Sequence, residues 1–276
     1  MIDALQYEFM QRALIAAVLA SIACGIVGVY VVVRKMVFIS GGISHASFGG
    51  VGMGWYLGMN PIVGALIFTV ASALGMGLVT RRTKLPEDTS IGIMWAVGMA
   101  LGIVFIGLTP GYTSDPFSYL IGNILFVSST DLILIAILNT VVVLTVVLLY
   151  KEFLALSFDE EFGTVVGAPM KYLYYILLCL IAITVVVLIK VVGIILVIAL
   201  LTVPASMAKQ YTHTLWKMMC LAVVFGVVFT TSGLWLSYEL DIASGATIIL
   251  SSVTIFLLSA AFSKMRMRHM SAVAMR

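Results

Sequence analysis

One histidine is the clearest candidate for ligand chemistry. His45 is the only acidic, basic or imidazole side chain between residues 36 and 80. Neutral imidazole binds zinc, manganese and iron, and an ionisable group within an apolar segment is a functional candidate. Ser44 is adjacent and could add a hydroxyl ligand. A hydrogen bond from the ring to a neighbouring carbonyl would explain His45 equally well, so the residues alone leave both roles open.

A second candidate is KEFLALSFDEEFGTVVGAPMK at 151–171, the longest stretch between apolar segments. It combines an apolar pair at i, i+4 spacing, three adjacent acids and two helix-ending residues. The positions are Phe158, Asp159, Glu160, Glu161, Phe162, Gly167 and Pro169. Such a short amphipathic helix either lies on lipid or docks on a protein. Adjacent acids disfavour an anionic lipid surface, so docking on a partner is the better interpretation.

The composition indicates which elements position these residues. Hydrophobic residues make up 62% of the 276, charged residues make up 10%, and the mean hydropathy is +1.19. Soluble domains average about 45–50% apolar and about 25% charged residues. The chain is therefore predicted to be an all-α polytopic membrane protein in contact with lipid. A net charge of +3 is too small to indicate a nucleic-acid partner.

Uncharged stretches predict about nine transmembrane helices, with eight possible, since a helix needs about 20 apolar residues to cross a bilayer. The predicted spans are 13–33, 38–58, 62–80, 90–109, 132–150, 172–189, 191–208, 218–237 and 244–263. The stretch 116–130 is shorter and more polar, which predicts a partial or interfacial helix.

Lys190 separates two of these spans with almost no room for a turn. One interpretation is a tight loop from which Lys190 reaches the interface. The other is a broken helix that begins at 191–193 and ends near Pro204, which is tolerated only where protein or a water-filled cavity covers it.

Charge bias predicts the orientation. With nine crossings and the amino terminus outside, thirteen Lys and Arg residues lie in the cytoplasm, and only Arg12 and Lys190 lie outside. This distribution agrees with the positive-inside rule. We therefore expect a multi-pass protein of the inner or plasma membrane with a cytoplasmic carboxyl terminus.

The chain lacks the GxxxxGK[ST] motif of nucleotide-binding loops, so we expect it not to hydrolyse ATP itself. Several longer motifs are more specific. They are ISGGISHASFGGVGMGWYLG (39–58), LPEDTSIGIMWAVGMALGI (85–103), SYLIGNILFVSSTDL (118–132), SFDEEFGTVVGAPMKYLYY (157–175), VVGIILVIALLTVPASMA (191–208) and LDIASGATIIL (240–250). In this order they resemble the permease subunits of ABC importers for zinc, manganese and iron, over about residues 10–263.

The resemblance implies a single permease domain over 1–276 that transports a divalent metal ion and holds no permanent cofactor. It implies a cytoplasmic ABC ATPase, an extracytoplasmic metal-binding protein and a second permease copy as partners. It also implies that a coupling segment at about 152–171 contacts the ATPase through Phe158, Asp159, Glu160, Glu161, Gly167 and Pro169. The resemblance implies as well that His45 takes the place of the family's metal-contacting histidine.

One position departs from the family pattern. Many members carry an aspartate four residues before this histidine, where both side chains share a helix face. Here that position is Gly41. The missing carboxylate leaves the metal, and the position of its site, undecided.

Three other functions stay open. An ABC permease for a metal chelate, of the siderophore or cobalamin type, has the same general layout, and Gly41 would suit a wider pathway. An ion-coupled secondary transporter is disfavoured by the near absence of acids within the spans. A simple membrane anchor would need far fewer spans.

Overall fold

The computed structural model of the chain describes residues 6–82, 87–110 and 121–274. These residues form ten α-helices and one short 3-10 turn, with no strand among them, which confirms the all-α prediction. The α-helices are α1 (Glu8–Val33), α2 (Val37–Tyr56), α3 (Pro61–Arg82), α4 (Glu87–Leu108), α5 (Ser129–Leu148), α6 (Tyr150–Phe158), α7 (Glu160–Val165), α8 (Met170–Tyr211), α9 (Leu215–Leu240) and α10 (Ser244–Ala274).

Within the described residues, seven helices are long and apolar enough to cross a membrane, so the predicted count of about nine is not matched by separate helices. The predicted spans 172–189 and 191–208 belong to one element, α8. The predicted span 38–58 forms α2, whose 20 residues include many glycines and serines in place of aliphatic side chains. Most of α2 is buried by its neighbours, which compensates for its polarity.

Ion pairs identify the two ends of the bundle. Arg34 directly follows α1 and Arg81 lies in the last turn of α3, and both contact Glu160, so these helix ends lie together at what we call the arginine end. At the opposite end, Asp131 in the first turn of α5 pairs with Lys190, with 2.8 Å between Asp131 Oδ1 and Lys190 Nζ. We call this end the Lys190 end.

Helix α8 crosses the bundle and then returns. Tyr174 lies beneath the guanidinium groups of Arg34 and Arg81 at the arginine end. Lys190 is at the opposite end, yet Leu201 packs on Gly28 in the arginine half of α1. A straight helix of 42 residues would be about 63 Å long, twice the hydrocarbon thickness of about 30 Å. The chain therefore reverses between Lys190 and Leu201.

Gly193 is the point of reversal. Its φ of 79° and ψ of 162° lie in a region that is essentially restricted to glycine. A Cβ there would also clash with the carbonyl oxygen of Ile121, and Gly122 packs against the same backbone. The predicted break at 191–193 is confirmed, because Gly193 interrupts the helical backbone there. The expected end near Pro204 is also wrong, because the helix continues to Tyr211.

Close helix packing fixes α2 between α3 and α4. A Cβ at Gly50 would lie 2.6 Å from the Cα of Ala65 in α3. A Cβ at Gly98 in α4 would lie 2.7 Å from the Cα of Ala46 in α2. Such small residues let helix backbones approach closely in membranes. The helix that carries His45 is thus tightly held on two sides.

The segment between α5 and α8 forms two short helices, α6 and α7, rather than the single amphipathic helix expected. Asp159 separates them with an extended backbone (φ −152°, ψ 83°) and caps α7 by accepting a hydrogen bond from the Phe162 amide at 2.8 Å. Gly167, at φ 88°, ends α7 as predicted. Pro169 is the residue before the first turn of α8, so it also starts the next helix.

The predicted partial helix at 116–130 lies partly outside the described residues. Its described part contains the 3-10 turn Ile124–Phe126, followed by α5. Ser128 and Asp131 form a reciprocal capping box at the start of α5.

Candidate functional site

His45 lies in the middle of α2, where its ring stacks on Trp95 of α4. The ring centroids are 4.1 Å apart and the planes differ by 13°. His45 is half-buried, and 38% of Trp95 is exposed, so the pair lies at the edge of the protomer rather than in its interior.

One ring nitrogen of His45 lacks a partner. The Nδ1 atom is buried and makes no hydrogen bond with the residues that the structure describes. Buried polar atoms nearly always have a partner, so an orphaned one calls for an explanation. The carbonyl contact that the sequence left open is therefore absent at this nitrogen. A cation bound by the neutral ring would satisfy it.

Three serines of α2, Ser40, Ser44 and Ser47, are fully buried near His45. Ser44 Oγ donates to the carbonyl of Ser40 at 2.8 Å, and Ser47 Oγ donates to the carbonyl of Ser44 at 2.5 Å. Their protons are used within the helix, but the oxygen lone pairs stay free to accept a proton or bind a cation. No hydrogen bond joins Ser44 to His45 among the described residues, so Ser44 remains a predicted ligand only.

Gly41 lies one helical turn before His45 and has free space beside its Cα. The residue is buried, yet a Cβ added to it would meet no atom within 4 Å. The position that often carries aspartate in the family can thus hold a larger side chain here. The described part of the chain contains no group of three or more His, Cys, Asp and Glu residues that could hold a metal ion. The metal site at His45 therefore stays a prediction, and one chain would offer it His45 and oxygen donors.

The coupling segment presents an apolar surface at the arginine end. Phe158 and Phe162 are each 60% exposed, and Val165 is 86% exposed. Beneath them Phe153 and Leu156 are fully buried and fix α6 on the bundle. We call Phe158, Phe162, Val165 and Val166 the docking patch. The predicted docking residues are thus brought together, with the apolar ones facing away from the bundle.

Glu160 faces the bundle instead. Its Oε2 lies 3.1 Å from Arg34 Nη2, and its Oε1 lies 2.6 Å from Arg81 Nη2. Partial burial disfavours the charged carboxylate, but the hydrogen bonds from the two arginines outweigh it and hold the pKa of Glu160 below its ordinary value. The pairing therefore stabilises the fold at pH values above an ordinary glutamate pKa, about 4.3, and is lost as the pH falls through the lower folded pKa.

Sequence reasoning missed Trp95, Arg34 and Arg81 as site residues. Trp95 shares a helix face with Gly98 and Gly102, at i, i+3 and i+7, and that pattern could have indicated the face that packs on α2. The arginines were counted only as topology signals, because their partner Glu160 is far away in sequence.

A family model described as the ABC 3 transport family matches residues 6–263. The chain belongs to this family. The predicted resemblance to permease subunits of metal-importing ABC transporters is confirmed, and the protein is a transport component of the membrane. The wider ABC 3 family assignment leaves the transported metal open.

Two relatives and one solved structure extend this result. The chain is 48% identical to the uncharacterized membrane protein slr2045 of Synechocystis sp. over 264 residues, which cover 96% of this chain and 94% of that one. It is 39% identical to the manganese transport system membrane protein MntC of Listeria monocytogenes, covering 94% and 92%. The structure of PsaBC from Streptococcus pneumoniae in complex with Fab matches with a TM-score of 0.84 at 34% identity, covering 94% of this chain and 93% of that one.

Proposed function

We propose that this ABC 3 family member is the permease of an ATP-driven importer for a divalent transition metal ion, with Mn²⁺ as its cargo. The orphaned Nδ1 of His45, beside buried hydroxyls and open space at Gly41, carries the proposal. A set of one imidazole and oxygen donors suits manganese, whereas soft metals favour sulfur-rich sites. The manganese transport relative supports the same cargo.

A second copy of the chain is proposed to complete the pathway. His45 and Trp95 lie at the protomer edge, and the described residues of one chain supply too few metal ligands. Two copies related by a twofold axis would bring two His45 side chains to one channel. An extracytoplasmic metal-binding protein would deliver the ion at the Lys190 end.

Transport of Mn²⁺ by the purified permease, reconstituted in vesicles with its ATPase, tests the function directly. We expect ATP-dependent accumulation of radioactive Mn²⁺ that excess Zn²⁺ or Fe²⁺ inhibits only at higher concentrations. Stronger inhibition by either competitor would reassign the cargo. Accumulation of a metal chelate with no uptake of free ions would favour the siderophore or cobalamin alternative.

The docking patch is proposed to bind the ATPase. Changing Phe162 and Val165 together to alanine should weaken binding of the ATPase by about 30-fold or more, because two exposed apolar anchors at about 1–2 kcal/mol each contribute about 2–4 kcal/mol at such interfaces. Phe126→Ala is the matched control, since Phe126 is 83% exposed at the opposite end. Equal ATPase recovery in the two variants would contradict the assignment.

The arginine end is proposed to face the cytoplasm, with the amino terminus outside. In a chain in which the exposed Cys220 is replaced by alanine, Phe126→Cys should react with an impermeant maleimide on intact cells. Tyr172→Cys should react only after permeabilisation, because Tyr172 lies near the start of α8 at the arginine end, outside the docking patch, and is 69% exposed. The reverse labelling pattern would overturn the orientation.

A further inference from the structure

A single carboxylate joins the coupling segment to the ends of two other helices. Glu160 accepts hydrogen bonds from Arg34, which follows α1, and from Arg81, in the last turn of α3. These arginines are 126 and 79 residues away in sequence. The contact is therefore a tertiary joint rather than a local feature of the segment.

The joint contains more than the ion pairs. Both guanidinium groups lie over the ring of Tyr174 in α8, at 5.6 Å for Arg34 and 4.4 Å for Arg81. Arg34 also donates a hydrogen bond to the carbonyl of Leu156 in α6. Only 15% of the Arg34 side chain is exposed, so its pair with Glu160 is less screened than an ordinary surface pair.

Both arginines of the joint belong to segments that adjoin α2, the helix that carries His45. Arg34 is followed by Lys35, whose left-handed backbone (φ 60°) turns the chain into α2. Arg81 lies in the last turn of α3, which packs along α2 at Gly50. Glu160 is thus connected to α2 through the turn that precedes it and through its neighbour α3.

The three adjacent acids have different environments. Asp159 caps α7, and Glu160 forms the joint. Glu161 is exposed and forms no ion pair within the described part of the chain. The docking patch faces away from the bundle while Glu160 faces into it, so the segment has one side for a partner and one for the bundle.

We infer that Glu160 is a positioning residue, which holds the coupling segment to Arg34 and Arg81 as a rigid joint and transmits movement of the docked ATPase to α2 and His45. This inference rests on the function proposed above. It assigns Glu160 to coupling rather than to ATPase binding. Loss of the joint should therefore leave the complex assembled but let ATP be hydrolysed without transport.

The test uses the reconstituted complex of permease and ATPase with Glu160→Gln and Arg81→Gln. Glu239→Gln is the matched control, because Glu239 is an exposed glutamate of α9 outside the coupling segment. We expect the number of ATP molecules hydrolysed per Mn²⁺ imported to rise about tenfold in the first two variants, within the usual range for coupling between sites. ATPase recovery should stay within about twofold of wild type, and Glu239→Gln should behave as wild type. A merely structural role would lower recovery without changing this ratio.

Several results would overturn the inference. One is an unchanged ratio of ATP hydrolysed to Mn²⁺ imported in Glu160→Gln, and another is the same rise in this ratio in Glu239→Gln. The third is loss of the ATPase from Glu160→Gln, which would make Glu160 a docking residue. If Glu160→Gln does not assemble in the membrane, Arg81→Gln decides alone, because it removes one arm and keeps Arg34.

A second measurement separates this inference from the proposed function. If the wild-type complex imports no metal ion, the proposed function fails, but the joint can still be measured by amide hydrogen exchange. Exchange over residues 155–166 should become about tenfold faster in Glu160→Gln and Arg81→Gln and stay unchanged in Glu239→Gln. Unchanged exchange in the first two variants overturns the joint, whatever the complex transports.

Discussion

Replacing His45 with alanine is expected to reduce Mn²⁺ uptake by roughly a hundredfold, since residues that merely support a metal ligand already contribute 10- to 100-fold. The buried serines nearby supply only weak hydroxyl donors, and their protons are used within α2. Initial rates of radioactive Mn²⁺ uptake in reconstituted vesicles measure the effect. Membrane insertion and ATPase recovery should remain unchanged, because His45 is remote from the arginine end.

Two further variants separate metal binding from packing. His45→Phe keeps an aromatic ring for stacking on Trp95 but has no nitrogen, so it should be as defective as the alanine variant. His213→Ala is the control, because His213 is an exposed histidine between α8 and α9. Near-normal uptake in His45→Phe would show that stacking, not ligation, is the role of His45.

The sequence predicted the apolar helices well because their signal is local. The uncharged stretch 13–33 became α1 (Glu8–Val33), and 218–237 became α9 (Leu215–Leu240). The count of nine spans is not matched by the seven described helices that are long and apolar enough to cross a membrane, because α2 is rich in glycine and serine and two predicted spans join in α8. The break near Gly193 was predicted, but its contact with the backbone of Gly122, 71 residues away by their numbers, was not. Local hydropathy contains no information about that contact.

The candidate site was predicted only in part, because the sequence shows local signals but not contacts between packed helices. His45 was evident because an imidazole is rare in an uncharged stretch, and the docking segment was evident from its acids and phenylalanines. Trp95 and the arginine partners of Glu160 were not evident, because each meets its partner only after helices pack. The prediction of a single docking helix was wrong, because Asp159 caps a new helix there instead of continuing the first.

Replacing Gly41 with aspartate is expected to tighten Mn²⁺ binding by roughly tenfold to a hundredfold, which corresponds to about 1.5–3 kcal/mol for a charge-assisted contact. The new carboxylate would share a helix face with His45, one turn away. The protein has space for it, because a Cβ at Gly41 would meet no atom within 4 Å. Isothermal titration of the purified complex with Mn²⁺ measures the affinity.

Tighter binding has a consequence for transport. A transit site must bind strongly enough to capture the ion and weakly enough to release it. Gly41→Asp should therefore lower the Mn²⁺ concentration for half-maximal uptake and also lower the maximal rate. Gly41→Asn has nearly the same shape without the charge and should change neither by more than about twofold. An equal gain in affinity from aspartate in a His45→Ala chain would contradict a shared site, because the two side chains would then not bind the same ion.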